Sequence, residues 1–185
     1  MTLVGVVLTG GASRRMGRNK ALIDVDGVPM ASIVAEALGA AGCETVSALG
    51  GDPDELAALD IVVLADEYPG QGPLGGVISA LGSAPGSPTK VAVIACDFPW
   101  LRANDLSLLI EAARDQPSVD VVVARTDRLQ PACAIWDVAC LPAIRTMFSS
   151  GDRSLRAAID RLCSVEVVLP DRALRNVNTP SDLER

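Results

Sequence analysis

Histidine is absent from the 185 residues, and the five cysteines, at positions 43, 96, 133, 140 and 163, form no CxxC pair. Without histidine no nucleophile–histidine triad can be built, and the commonest general base is missing. Unpaired cysteine spacing gives no reason to expect a disulfide framework or a Cys/His zinc site. Aromatic residues make up 3% of the chain and the net charge is −7. So few rings and so acidic a balance argue against base-stacking platforms and long phosphate-tracking surfaces, and nucleic acid is not an expected partner. Apolar runs such as 91–96 and 119–124 fall far short of the roughly 20 residues that span a bilayer. No membrane association is expected. The chain reaches its first apolar stretch without a basic leader, and that stretch stops at Gly10-Gly11, unlike a secretory signal; the expected location is cytoplasmic. Chemistry here has to come from carboxylates, amides, cations or a bound metal.

What is present is a regular alternation. Apolar, β-branched runs recur at 3–8, 45–49, 61–65, 90–96, 119–124 and 164–169, and Ala/Leu-rich stretches with helical spacing fall near 29–41, 53–58, 74–82, 103–114, 138–149 and 153–162. Strands alternating with helices predict one α/β domain over residues 1–185, a Rossmann-like three-layer sandwich with helices on both faces of a mostly parallel sheet. The run at 90–96 is continuously apolar after Lys90 and reads as a central strand buried on both sides. Residues 130–136 follow 119–124 across a polar turn, which predicts an antiparallel strand and hence a mixed sheet. Asn104 or Asp105 is the capping candidate for the fourth helix.

Three segments carry the chemical signal. The first, LTGGASRRMGRNK at 8–20, follows a predicted strand. Gly10 and Gly11 admit an anion close to backbone N–H groups that a strand-to-loop transition leaves unpaired, while Arg14, Arg15, Arg18 and Lys20 add charged donors suited to a triphosphate. Gly17 is followed by Arg18-Asn19-Lys20, so the loop is no Walker A motif, and its glycine spacing does not fit GxGxxG. The second, CDFPWL at 96–101, puts Asp97 at the carboxyl end of the central strand, where open α/β sheets bind ligands. A carboxylate there suits Mg²⁺ shared with substrate phosphates, and equally a turn or helix cap. The third, NVNTPSDL at 176–183, sets Asn176 and Asn178 on one side of a short strand, where one of them could give the metal a neutral second oxygen; Thr179-Pro180 reads as a helix cap and first turn.

Taken together these segments resemble the nucleotidyltransferase family that includes the molybdenum cofactor guanylyltransferases. Leu8-Thr9-Gly10-Gly11, Arg15-Met16-Gly17, Lys20, the loop PGQGPLGG at 69–76, Gln130-Pro131 and GDRSL at 151–155 match its pattern in order over nearly the whole chain. The resemblance implies Mg²⁺-dependent transfer of GMP from GTP to molybdopterin-bound molybdenum, giving a guanine dinucleotide cofactor and pyrophosphate, with molybdoenzymes or cofactor-biosynthesis proteins as partners. It also implies roles. Leu8, Thr9, Gly10, Gly11, Lys20, Asp66 and Asp97 bind the nucleotide; Arg15, Lys20 and Asp97 are catalytic; Asp97 and Asn178 hold the metal; the loops around Gln130 and Arg153 contribute to the acceptor. The chain departs from the pattern at Thr9, where alanine is usual, at Asn19, where aspartate is frequent, and at 48–52, where an asparagine is expected. A cytidylyltransferase of the same cofactor, another small-molecule phosphate nucleotidyltransferase and a non-catalytic nucleotide-binding protein remain open readings at this level.

Overall fold

Along β1 (Thr2–Leu8), Leu3 and Val7 join one apolar cluster and Val6 joins another. That two-residue period separates the layers of the whole protein. The computed structural model describes residues 2–10, 20–87, 89–178 and 182. After β1 come a 3-10 turn at Lys20–Leu22, the short strands β2 (Asp24–Val25) and β3 (Val28–Pro29), and helix α1 (Met30–Ala40). Next are β4 (Val46–Leu49), α2 (Pro53–Ala57), β5 (Val62–Leu64), α3 (Pro73–Gly82), β6 (Thr89–Ala95) and α4 (Ala103–Asp115). The chain continues through β7 (Val121–Arg125), β8 (Leu129–Asp137), a 3-10 turn at Val138–Cys140, α5 (Leu141–Ser149), α6 (Leu155–Arg161), β9 (Ser164–Val168) and a 3-10 turn at Asp171–Leu174.

Seven strands form one sheet in the order β5-β4-β1-β6-β8-β7-β9. All neighbours run parallel except β8, which is antiparallel to both β6 and β7. The expected mixed, mostly parallel sheet is therefore what forms. Residues from α1, α2 and α4 cover one face, and α3, α5 and α6 cover the other. On the second face α3 buries Leu74, Val77, Ile78 and Leu81 completely or nearly so, each side chain contributing about 1.5–3 kcal/mol of burial free energy. β6 is central as its composition requires, and even Lys90 within it is 4% exposed. Its ammonium is satisfied by Asp137 Oδ2 at 2.9 Å and the Val119 carbonyl at 3.2 Å.

Several local expectations need correction. The cap of α4 is Arg102, not Asn104 or Asp105. Asp105 sits three residues in and accepts the Arg102 backbone N–H at 3.0 Å, so its carboxylate serves the helix start from within the first turn. The expected helix 138–149 opens as a 3-10 turn and becomes α-helical only from Leu141, with Pro142 in the first turn. α6 starts at Leu155 because the Ser154 hydroxyl accepts from Ala157 N–H. Residues 175–178 have no regular structure, so Asn176 and Asn178 do not share a strand face. Thr179 and Pro180 lie outside the described residues. The β2–β3 hairpin went unpredicted although Asp26-Gly27 signals it; both residues have positive φ, 54° and 83°, as a tight hairpin turn demands.

Candidate active site

Because β1, β4, β5, β6 and β7 are parallel, their carboxyl ends share one edge of the sheet, and the loops that leave them meet there. β1 and β6 are neighbours, with Leu8 opposite Ala95. Their loops are tied directly, since Cys96 N–H donates to the Leu8 carbonyl at 3.1 Å. Asp97 follows, and the C-terminal segment reaches it when Val177 N–H donates to the Asp97 carbonyl at 3.0 Å. Val177 is fully buried, which pins the segment and leaves Asn178 beside Asp97.

Lys20 joins these two side chains. Its Nζ lies 2.9 Å from Asp97 Oδ2 and 2.9 Å from Asn178 Oδ1. Three residues separated by up to 158 positions in sequence thus converge. The other carboxylate oxygen, Asp97 Oδ1, is buried and has no hydrogen-bond partner among the described residues. An unpartnered carboxylate oxygen is costly in the interior, and a cation would satisfy it. Among the described residues no three His, Cys, Asp or Glu side chains converge as a metal cage. One carboxylate plus one amide instead suits a hard divalent ion that takes its remaining oxygens from substrate and water. The donor set fits Mg²⁺ provided Lys20 turns aside.

The glycine loop behaves differently from the expectation. Gly10 N–H is not left for an anion; it donates to the Leu49 carbonyl at 3.2 Å, as Thr9 N–H does at 3.0 Å. Parallel pairing of β1 with β4 simply runs on past the strand end. The close approach demands glycine at position 50: a Cβ there would lie 2.6 Å from Gly10 Cα, and Gly50 has φ +82°, whereas a Cβ on Gly10 would meet Gly50 Cα at 3.3 Å. Thr9 also turns inward, 5% exposed, with its hydroxyl 2.6 Å from the Gly50 carbonyl. Asp52, where the family pattern puts a nucleotide contact nearby, is occupied as the N-cap of α2 and accepts from Asp54 and Glu55 N–H. Gly11, Arg14, Arg15 and Arg18 lie outside the described residues.

Two hollows flank the Lys20–Asp97–Asn178 cluster along the sheet edge. One, of about 340 Å³, is lined over β1, β4 and β5 by Leu8, Gly10, Leu49, Asp66, Tyr68 and neighbouring glycines. Asp66 Oδ1 is oriented in it by Ser79 Oγ and Tyr68 N–H, each at 2.9 Å. Tyr68 packs so closely on α3 that a Cβ at Gly75 would meet its Cβ at 2.8 Å. Tyr68 packs at a tilt against Phe148, ring centres 4.6 Å apart, and Phe148 carries the Arg153 guanidinium 3.6 Å from its ring centre. Arg153 therefore backs this hollow instead of joining Gln130. Leu49 and Tyr68 were missed as site residues; the PGQGPLGG motif beside Tyr68 was the available signal. The second hollow, about 520 Å³, lies over β7 and β8 and is lined by Arg128, Gln130, Arg172 and Arg175 among others.

Cys96 adjoins Asp97 but is no nucleophile. Burial, reinforced by the Asp97 charge, pushes its thiol up to about 12, so the reactive thiolate is scarce at neutral pH.

A mostly parallel sheet with a lysine–carboxylate–amide cluster between two hollows at its carboxyl edge has room for two substrates, and the similarity to known proteins makes the chain a nucleotidyltransferase. The chain belongs to the family of the MobA-like NTP transferase domain, which it matches over residues 5–167. It is 34% identical to a molybdenum cofactor guanylyltransferase of Cereibacter sphaeroides, over 100% of this chain and 95% of that one. It is 33% identical to a probable molybdenum cofactor guanylyltransferase of Opitutus terrae, over 99% and 94% of the two chains. The fold is shared with the solved molybdopterin-guanine dinucleotide biosynthesis protein A of Archaeoglobus fulgidus, at TM-score 0.77 and 21% identity, covering 100% of this chain and 95% of that one. No helix among the described residues is long and apolar enough to cross a membrane.

Proposed function

We propose that the protein transfers GMP from GTP to the terminal phosphate of molybdopterin-bound molybdenum cofactor, releasing pyrophosphate and giving the guanine dinucleotide cofactor. The observation that carries this reading is the Lys20–Asp97–Asn178 cluster standing between two hollows. Full-length relatives bearing the guanylyltransferase name support the choice of substrates. The nucleoside end of GTP sits in the hollow beside Asp66, Tyr68, Leu8 and Leu49, with its phosphates directed toward Gly10, Gly11 and Thr9 at the end of β1. The anionic acceptor lies over the hollow with Gln130 and with Arg128 and Arg175, whose guanidinium groups suit phosphate and outweigh, with Arg172, the carboxylates of Asp127 and Asp171 that also line it.

An oxygen of the acceptor phosphate attacks the α-phosphorus of GTP. One P–O bond forms while the bridge between the α- and β-phosphates breaks, and pyrophosphate leaves with that electron pair. The attacking oxygen is already an anion, so no proton need be removed. That agrees with a chain lacking histidine. What the protein contributes is positioning and charge neutralisation. Lys20 and Arg15 neutralise the transferring and leaving phosphates, and Asp97 with Asn178 hold Mg²⁺. When bound, Mg²⁺ supplies Lewis-acid charge neutralisation at the phosphate oxygens. The reaction is assigned to the cytoplasm, with a receiving molybdoenzyme or another cofactor-biosynthesis protein as downstream partner.

A nucleotide panel with authentic pterin acceptor tests the reading. Pyrophosphate release is expected with GTP and Mg²⁺ and is lost on chelation. Release with CTP but not GTP overturns the guanylyl assignment.

A further inference from the structure

Asn178 belongs to a stretch, 175–178, that has no regular secondary structure. Something other than the sheet must hold its amide against Asp97. The chain around Asp97 and the chain leading to Asn178 run together and are stitched at successive points. Val177 N–H donates to the Asp97 carbonyl at 3.0 Å. The Arg175 guanidinium lies 3.6 Å over the Trp100 ring centre. Ala173 and Leu174 are buried. At the far end the Arg172 fork grips Asp105, Nη2 to Oδ1 at 2.8 Å and Nη1 to Oδ2 at 3.0 Å.

Asp105 is no ordinary surface partner. It is 4% exposed, and Oδ2 also accepts the Arg102 backbone N–H. Arg102 caps α4, the helix that follows the Asp97 loop directly. A bidentate pair of this kind fixes orientation as well as distance. One carboxylate therefore ties the start of α4, and with it the loop bearing Asp97, to the segment bearing Asn178. Neither Asp105 nor Arg172 touches the Lys20 cluster.

We infer that the Asp105–Arg172 pair is a positioning device that sets Asn178 beside Asp97 and so completes the cation-binding end of the site. The inference rests on the reading of Asp97 and Asn178 as Mg²⁺ ligands. Its function is orientation, because a supporting partner outside a metal's ligands commonly changes affinity 10–100-fold when removed.

The test is a double-mutant cycle read by Mn²⁺ binding in the presence of GTP and the absence of acceptor, so that no turnover intervenes and the acceptor hollow is not sampled. Asp105→Asn, Arg172→Gln and Asn178→Ala are each expected to weaken Mn²⁺ about tenfold by electron paramagnetic resonance titration. Combining Asp105→Asn or Arg172→Gln with Asn178→Ala is expected to add less than about twofold, as for residues acting through one another. Trp100 emission should shift in the Asp105 and Arg172 variants as Arg175 leaves its ring. Fully additive losses of Mn²⁺ affinity overturn the inference, because a merely structural pair would weaken binding independently of Asn178. If Asn178→Ala alone leaves Mn²⁺ affinity unchanged, the ligand role falls and the positioning role with it, while GTP-dependent pyrophosphate release still judges the reaction separately. Should Asp105→Asn fail to fold, Arg172→Gln, altered on a half-exposed side chain, completes the cycle alone.

Discussion

Replacing Lys20 with methionine should make the protein bind a divalent cation more tightly before any nucleotide arrives. The Lys20 ammonium now sits 2.9 Å from one oxygen of each side chain that would hold a cation, Asp97 Oδ2 and Asn178 Oδ1. An entering ion must displace it. Hydrogen bonds to charged groups contribute about 1.5–3 kcal/mol net, and about 1.4 kcal/mol is a factor of ten in affinity. The side chains of Lys20 and Asp97 are 16% and 19% exposed, so solvent screening removes less of the interaction than at an open surface. Removing the competitor should therefore tighten nucleotide-free Mn²⁺ binding about ten- to hundredfold.

Titration of Mn²⁺ by electron paramagnetic resonance, with wild type, Lys20→Met and the double variant Lys20→Met/Asp97→Asn, measures this directly. The gain should vanish in the double variant. Turnover should move the other way, falling by about 10²–10³, the usual cost of a lost charge-stabilising donor at the reacting group. If Lys20→Met binds Mn²⁺ no more tightly than wild type, or if Asp97→Asn leaves the gain in place, Lys20 does not occupy the cation's position and the exchange is wrong.

Thr9→Ala removes the hydroxyl that donates to the half-buried Gly50 carbonyl and should lower stability by about 0.5–1.5 kcal/mol, the net worth of an ordinary hydrogen bond, seen as a lower Tm. Gly50→Ala should cost more and should abolish thermal stabilisation by GTP, because its Cβ would enter the Gly10 backbone at 2.6 Å from a residue with φ +82°; retention of that stabilisation would count against the hollow beside Gly10 as the nucleotide site. A thiol reagent at neutral pH should label Cys163 alone in the native protein and all five cysteines after unfolding. Burial raises the thiols of Cys43, Cys96 and Cys140 from 9.0 to about 12, and Cys133 in the same direction. A raised folded-state value favours the protonated form, so their contribution is complete below pH 9 and lost between about 9 and 12; denaturant midpoints should fall across that window, and a flat profile would contradict it.

The layers were legible because they depend on period. The strand at 90–96, continuously apolar after Lys90, could only be central, and the polar turn before Gln130 announced the strand that runs antiparallel within the seven-stranded sheet. Asp97 and Lys20 were legible as a pair from the motifs, and they do meet. What pattern could not show was partnership across distance. Gly10 looked like a free donor because the continuation of β1–β4 pairing past the strand end is a tertiary fact. Asp105 looked like a helix cap because its contact with Arg172, 67 residues on, has no local trace. Nothing local in the sequence told that Arg153 lies beside Gly72, a neighbour distant along the chain.

The sheet order explains why the C-terminus has to take part. β1 and β6 lie side by side, so the loops carrying Lys20 and Asp97 can meet without help. Toward β4 and β5 the edge is occupied by the hollow with Asp66 and Tyr68, and toward β7 by the one with Arg128 and Gln130. On the proposed reading, a second oxygen for a cation at Asp97 cannot come from either side without closing a hollow assigned to a substrate. It has to descend from outside the sheet, on a segment free of strand pairing. The segment after β9 meets that condition, and the lack of regular structure over 175–178 is then what gives a buried anchor such as Asp105 its use.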